Sequence, residues 1–155
     1  MRDESGRSLV EIIGILAIGA IMTAGAVSMY SMIHGNQTRA IAAANMEQLV
    51  RDTHILMQSR GDYSGISVDY LIKAGALKSD HAPIGGSWSV TAEEGGKKFA
   101  INLTELSVGE CDYFITAIPQ WAYAVRVNGL TIDASSADAD NCFSSRTNQI
   151  SFIVE

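Results

Sequence analysis

From Leu9 to Ile33 the chain reads LVEIIGILAIGAIMTAGAVSMYSMI, an apolar run with no proline and a single charge, Glu11. As a helix this run is about 37 Å long at 1.5 Å per residue, enough to cross ~30 Å of hydrocarbon with some tilt. Gly14, Gly19 and Gly25 weaken a helix in water, but small residues are frequent in membrane helices. No GxxxG spacing marks a dimer face. The helical period continues beyond this run. In Gln37–Arg60, Ile41, Ala44, Leu49, Val50, Thr53, Leu56 and Met57 recur at spacings near 3 and 4, with Arg39, Glu47, Arg51, Asp52 and Arg60 elsewhere. One helix is predicted from about Ser8 to Arg60, about 80 Å long, with Gly61 as its stop and a bend at His34-Gly35-Asn36.

The remainder reads as α+β. Val68–Ala74 is a short helix stopped by Gly75. Trp88–Ala92 and Phe99–Leu103 alternate apolar and polar residues around Glu93-Glu94-Gly95-Gly96, the pattern of a hairpin. Glu110–Ile118 is a second short helix, ended before Pro119. Tyr123–Val127 and Gln149–Val154 are predicted strands, with Asn128-Gly129 as a turn. No internal repeat or long linker divides the 155 residues further.

Charge sharpens this picture. The chain carries 11 basic and 17 acidic residues, net −6, and a surface this acidic argues against binding a phosphate backbone. Within Ser8–Ile33 only Glu11 is charged. So uneven a distribution excludes a plain soluble globule and a disordered chain, and predicts a membrane anchor.

Three readings compete for the apolar run. A secretory signal would use Ile12–Ala24 as its core and Ala24-Gly25-Ala26 as its cleavage site, but Asp3, Glu4 and Glu11 fit it poorly. An ordinary single-span anchor leaves Glu11 unexplained, because an ionised carboxylate in hydrocarbon costs on the order of 2.5–3.5 kcal/mol. An interfacial position, with Glu11 reaching back to the headgroups, is the simplest way to avoid that cost.

The third reading comes from a resemblance. Gly6-Arg7-Ser8-Leu9-Val10-Glu11-Ile12-Ile13 resembles the processing site of type IV prepilins and type II secretion pseudopilins. The resemblance implies cleavage between Gly6 and Arg7 by a prepilin peptidase, methylation of the new N-terminus at Arg7, and Glu11 as the fifth mature residue. It further implies that Glu11 pairs with the N-terminal amine of a neighbouring subunit during assembly. Two charges, each costly in a membrane, then neutralise each other only when subunits dock. The family's first mature residue is usually Phe or Met and here is Arg7; its leader is usually basic, and Met1–Gly6 is of mixed charge. Acidic residues contribute little to the positive-inside bias, so the N-terminus is expected to stay cytoplasmic.

That topology places Cys111 and Cys142 outside the cytoplasm, where a disulfide persists. Closing the loop between them stabilises a fold by roughly 3.5–4 kcal/mol in the chain-entropy model. There is no CxxC, and His34, His54 and His81 lack ligand spacing, so neither a metal nor a cofactor is expected. The C-terminal half also resembles type IVb pilins of the conjugative-pilus kind. The resembling elements are Gly85-Gly86-Ser87-Trp88, Phe99-Ala100-Ile101, Leu106-Ser107 with Glu110-Cys111, Val127-Asn128-Gly129, Asn141-Cys142 and the strand Ile150–Val154. The resemblance implies a type IV pilin fold of class α+β: a long N-terminal helix packed on a small antiparallel sheet head, with a disulfide-bounded C-terminal region.

Other candidate chemistry reduces to structure. Trp88, Trp121, Tyr113 and Phe114 could form an adhesive surface, but aromatics at such spacings usually belong to a core. Asp133, Asp138, Asp140 and Asn141 could meet calcium, yet they show no calcium-loop spacing and read as a solvated loop. Glu93-Glu94 opposite Lys97-Lys98 reads as a charged hairpin tip. With no GxSxG, phosphate-cradling loop or HExxH, an enzyme is not expected.

The expected organisation is a leader at 1–6, a transmembrane and assembly half-helix at 7–33, and an extracytoplasmic head at 34–155. The expected function is a structural subunit, major or minor, of an extracellular filament serving adhesion, motility or mating contact. Its partners would be copies of itself in a helical filament, the peptidase, an inner-membrane assembly platform, and lipid before assembly. A type II secretion pseudopilin is one alternative; a tethered binding domain that never polymerises is another.

Overall fold

In a computed structural model of the chain, residues 5–132 and 141–155 are described. The elements are α1 (Ser5–Met57), α2 (Val68–Lys73), β1 (Ser87–Glu93), a 3-10 turn (Glu94–Gly96), β2 (Lys98–Leu106), α3 (Val108–Thr116), β3 (Ala124–Val127), β4 (Leu130–Ile132) and β5 (Asn148–Val154). The chain forms two compact units, one up to Thr38 and one from Arg39 to Glu155.

In the second unit, five strands form one antiparallel sheet in the order β1-β2-β5-β3-β4. The last strand in sequence therefore lies at the centre, between β2 and β3. Its inward residues Ile150, Phe152 and Val154 meet Ile101, Leu103 and Phe99 of β2, Val125 and Val127 of β3, and Val90 of β1 in one buried core. The distal part of α1 closes this core with Ala42, Met46, Leu49, Val50 and Met57. Those positions fall on one side of a 3.6-residue period. Ile41 and Ala44, expected on that side, are exposed instead, Ile41 by 61%. Each lies more than a quarter-turn from the Ala42–Met46–Leu49–Thr53–Met57 line, and the side chains that face the sheet win the core.

The helix ends as its glycine predicts. Gly61 has φ 78°, and the Arg60 and Gly61 amides both donate to the Met57 carbonyl. Regular helix stops at Met57, three residues short of Arg60, and begins at Ser5 rather than Ser8, within the fraying expected of helix ends. It is unbroken through His34-Gly35-Asn36. Ser67 caps α2 by accepting from the Tyr70 amide. Ser107 and Glu110 form a reciprocal capping box on α3, which starts two residues before the predicted Glu110.

The hairpin tip is less simple than its charges imply. Lys98 is only 8% exposed; its Nζ lies 3.1 Å from Glu94 and 3.8 Å from the Tyr123 ring centre. Burial alone would lower its pKa, but the hydrogen bond and charge of Glu94, aided by Tyr123 and Glu155, hold it above the ordinary lysine value. Glu93 lies 3.6 Å from Arg126 of β3. The expected solvated tip is thus partly buried at Lys98: Glu94 pairs with it within the turn, and Glu93 pairs across to β3.

Thr53 is fully buried on the inner line of α1, and its hydroxyl has no hydrogen-bond partner. A buried hydroxyl without a partner costs about 1–3 kcal/mol, and valine has the same shape without it. Thr53→Val is therefore expected to raise stability by about 1 kcal/mol in urea denaturation. A loss of stability would mean that the hydroxyl is satisfied in solution.

Candidate functional site

The first unit presents a helix surface whose apolar side chains are exposed. Within α1, the apolar side chains from Val10 to Ile33 are exposed by 48–74% all round the helix, including Val10, Ile13, Leu16, Ile18, Ile21, Met22 and Val27. A helix hydrophobic on every side belongs in a membrane or inside an assembly. This helix is long and apolar enough to cross a membrane, and none of its most apolar stretch is buried. Two hydroxyls within it are satisfied by the helix's own carbonyls, which suits hydrocarbon. Thr23 Oγ1 bonds the carbonyls of Gly19 (2.8 Å) and Ala20 (3.0 Å), and Ser31 Oγ that of Ser28 (2.8 Å). Tyr30 and His34 stack one turn apart, 5.9 Å between ring centres, where the apolar run ends.

Glu11 differs from these two hydroxyls. It is exposed on this apolar helix, and no hydrogen bond or ion pair joins it to any side chain among the described residues. An uncompensated carboxylate at such a position needs a cation from outside the chain or a place at the headgroups. The backbone of Gly6 and Arg7 lies in the first turns of α1, while Met1–Glu4 fall outside the described residues.

In the second unit, Cys111 of α3 is joined to Cys142, with Cα atoms 6.0 Å apart. The bridge ties α3 to the segment that leads into β5, around a loop holding β3 and β4. Sequence reasoning missed what holds that segment down. Asn148 is fully buried, and its Nδ2 is shared among the carbonyls of Leu106 (3.1 Å), Phe143 (2.9 Å) and Ser145 (3.1 Å). Its Oδ1 accepts from the Phe143 amide (2.7 Å) and from Asn128 Nδ2 (3.1 Å). Asn128 Nδ2 also donates to the Asn141 carbonyl (2.8 Å), and its Oδ1 accepts from the Gln149 amide (2.9 Å). The Asn-Gly turn was readable in the sequence; Asn148 carried no local signal, since its partners lie up to 42 residues away.

The aromatic residues divide. Phe114 is fully buried and packs on Phe152, while Trp121 is half-buried and meets Phe152 at a tilt. Tyr113 and Trp88 are half-buried against the same core, and Trp88 Nε1 donates to the Asp80 carbonyl (2.8 Å). Asp133, Asp138 and Asp140 lie outside the described residues, and the Asn141 carbonyl is taken up by Asn128. Among the described residues no three His, Cys, Asp or Glu side chains gather for a metal.

No protein-family model matches the chain, and no curated protein matches it significantly in sequence. Among solved structures it is similar to TcpA, a type IV pilin from Vibrio cholerae El Tor biotype. That match has 13% identity and a TM-score of 0.63, covering 77% of this chain and 99% of that one. It is also similar to a type IVb pilin from Salmonella typhi, at 18% identity and TM-score 0.55, covering 73% of this chain and 97% of the other. At these identities the likeness is one of fold. The α+β arrangement of a long N-terminal apolar helix and a small antiparallel sheet is the type IV pilin fold.

Proposed function

We propose that the chain is a type IVb pilin: an inner-membrane precursor cut between Gly6 and Arg7, methylated at Arg7, and polymerised into an extracellular filament. The observation that carries this reading is Glu11, a carboxylate with no partner among the described residues, on an exposed and otherwise apolar helix surface. In a lipid bilayer the surface is covered by acyl chains; in a filament it is covered by copies of itself. Only the second environment supplies a cation at the right depth, the freed amine of a neighbour's Arg7. Pairing there removes two desolvated charges at once, so Glu11 favours one axial register over its neighbours. The oxidised head and the Tyr30–His34 pair at the end of the apolar run suit a protein whose head is exported while its N-terminus stays cytoplasmic. The assembly platform in the inner membrane and the prepilin peptidase are the partners this route requires.

Intact mass and N-terminal peptide mapping of the chain made with a prepilin peptidase test the reading. Loss of Met1–Gly6, with one methyl on Arg7, is expected. An intact Met1 would overturn it in favour of a tethered domain that does not polymerise. Cleavage after Ala26 would make the chain a secreted protein and remove Glu11 from the mature molecule.

A further inference from the structure

We propose that Asn128 is a site of spontaneous deamidation, held dormant by the Asn148 network and the Cys111–Cys142 bridge. Asn128-Gly129 is the one Asn-Gly dipeptide in the sequence. Because Gly129 has no side chain, its backbone nitrogen can approach the Asn128 carboxamide with little hindrance. The nitrogen attacks Cγ, a new C–N bond closes a succinimide, and the Cγ–Nδ2 bond breaks. Ammonia leaves carrying the Gly129 amide proton. Water then opens the ring at either carbonyl, giving aspartate or isoaspartate. One water enters and one ammonia departs, with no change of oxidation state.

The native fold opposes the first step. Asn128 (φ 49°) and Gly129 (φ 87°) occupy the tight turn between β3 and β4, both in the left-handed conformation of a type I′ turn. To swing onto the Gly129 nitrogen, the carboxamide must give up its bonds to the Asn141 carbonyl, Asn148 Oδ1 and the Gln149 amide. All three partners are fixed. Asn141 precedes the bridged Cys142, Asn148 is fully buried, and Gln149 lies in the central strand β5. Reaction therefore requires local opening of the 141–149 segment, and its rate follows the population of that open form.

The product does not fit where the reactant did. An aspartate at 128 has no Nδ2, so its carboxylate would face the Asn141 carbonyl and Asn148 Oδ1, both acceptors. Closure then becomes less favourable, and a single modification leaves the C-terminal segment loosened for the life of the subunit.

The test ages the full chain in detergent micelles at mildly alkaline pH and maps the amide-to-acid conversion at 128 by peptide mass. Four samples are compared: oxidised, thiol-reduced, the oxidised Asn148→Ala variant, and the oxidised chain unfolded in urea. The oxidised native chain is expected to react at least about tenfold more slowly than the unfolded one, and both reduction and Asn148→Ala recover most of that difference. Equal rates in the native and unfolded chains overturn the proposal, as does protection that survives both reduction and Asn148→Ala. Should Asn148→Ala fail to fold, Asn128→Asp decides. The 141–149 segment of that variant is cleaved by added protease at least about tenfold faster than the parent's, and equal resistance would show that the network does not hold the segment.

Discussion

Replacing Glu11 by Ala is expected to leave the chain in the membrane, with its head folded, and to lower its recovery in sheared filaments roughly a hundredfold or more. Insertion is unaffected or slightly improved, because the substitution removes the single charge in an apolar surface running from Val10 to Ile33. On the proposed pairing, assembly suffers because the neighbour's N-terminal amine would then enter an apolar bundle without a counter-charge. Removing one member of a buried ion pair costs about 3–5 kcal/mol, which is the source of the hundredfold figure. Glu11→Gln separates charge from hydrogen bonding: it keeps an acceptor of the same size and is expected to recover only a small part of the loss. Mixing variant and parent chains gives a further reading, since each parent subunit beside a variant would lose one partner rather than two. Normal filament yield from Glu11→Ala would remove the pairing role and leave Glu11 as a residue that merely reaches the headgroups.

Removing the Cys111–Cys142 bridge is the second large effect. With both cysteines changed to Ala, unfolding free energy is expected to fall by about 2–5 kcal/mol, measured by urea denaturation of the chain in detergent micelles under non-reducing conditions. The bridge spans 31 residues of sequence, and in the unfolded chain it removes the freedom of the loop that carries β3 and β4. Alanine is the appropriate replacement, because Cys111 is fully buried and serine would leave a hydroxyl without a partner. The loss should be felt first in the segment around Phe143, which is 56% exposed and otherwise held by Asn148. Under reducing conditions the parent and the double variant should converge. A loss below about 1 kcal/mol would mean that the Asn148 network holds this region without the cross-link.

Local patterns foretold the helices and the first hairpin well, for a reason visible in each case. Gly61 and Gly75 end helices because the chain turns there at φ 78° and 81°. Pro119 cannot continue a helix, and α3 stops at Thr116. The hairpin of β1 and β2 followed from alternation around Gly95-Gly96. β4 was not foreseen: its three residues, Leu130–Ile132, are too few to show a period, and they form a strand because the Asn-Gly turn returns them onto β3. Ile41 misled because an apolar residue near the right spacing is indistinguishable, in sequence, from one on the buried line.

The sequence by itself determined that the chain has an apolar helix long enough to span a bilayer, that one carboxylate interrupts it, and that the rest is α+β with two cysteines. These are properties of composition and short-range periodicity, so they can be read without knowing what lies across the fold. Tertiary structure decided that β5 enters between β2 and β3, that Lys98 is drawn under Tyr123, and that a buried asparagine anchors the disulfide segment. Each joins residues far apart along the chain, where the free energy comes from packing and from pairing desolvated polar groups. Nothing in the residues next to Asn148 records that Leu106 will need its hydrogen bond.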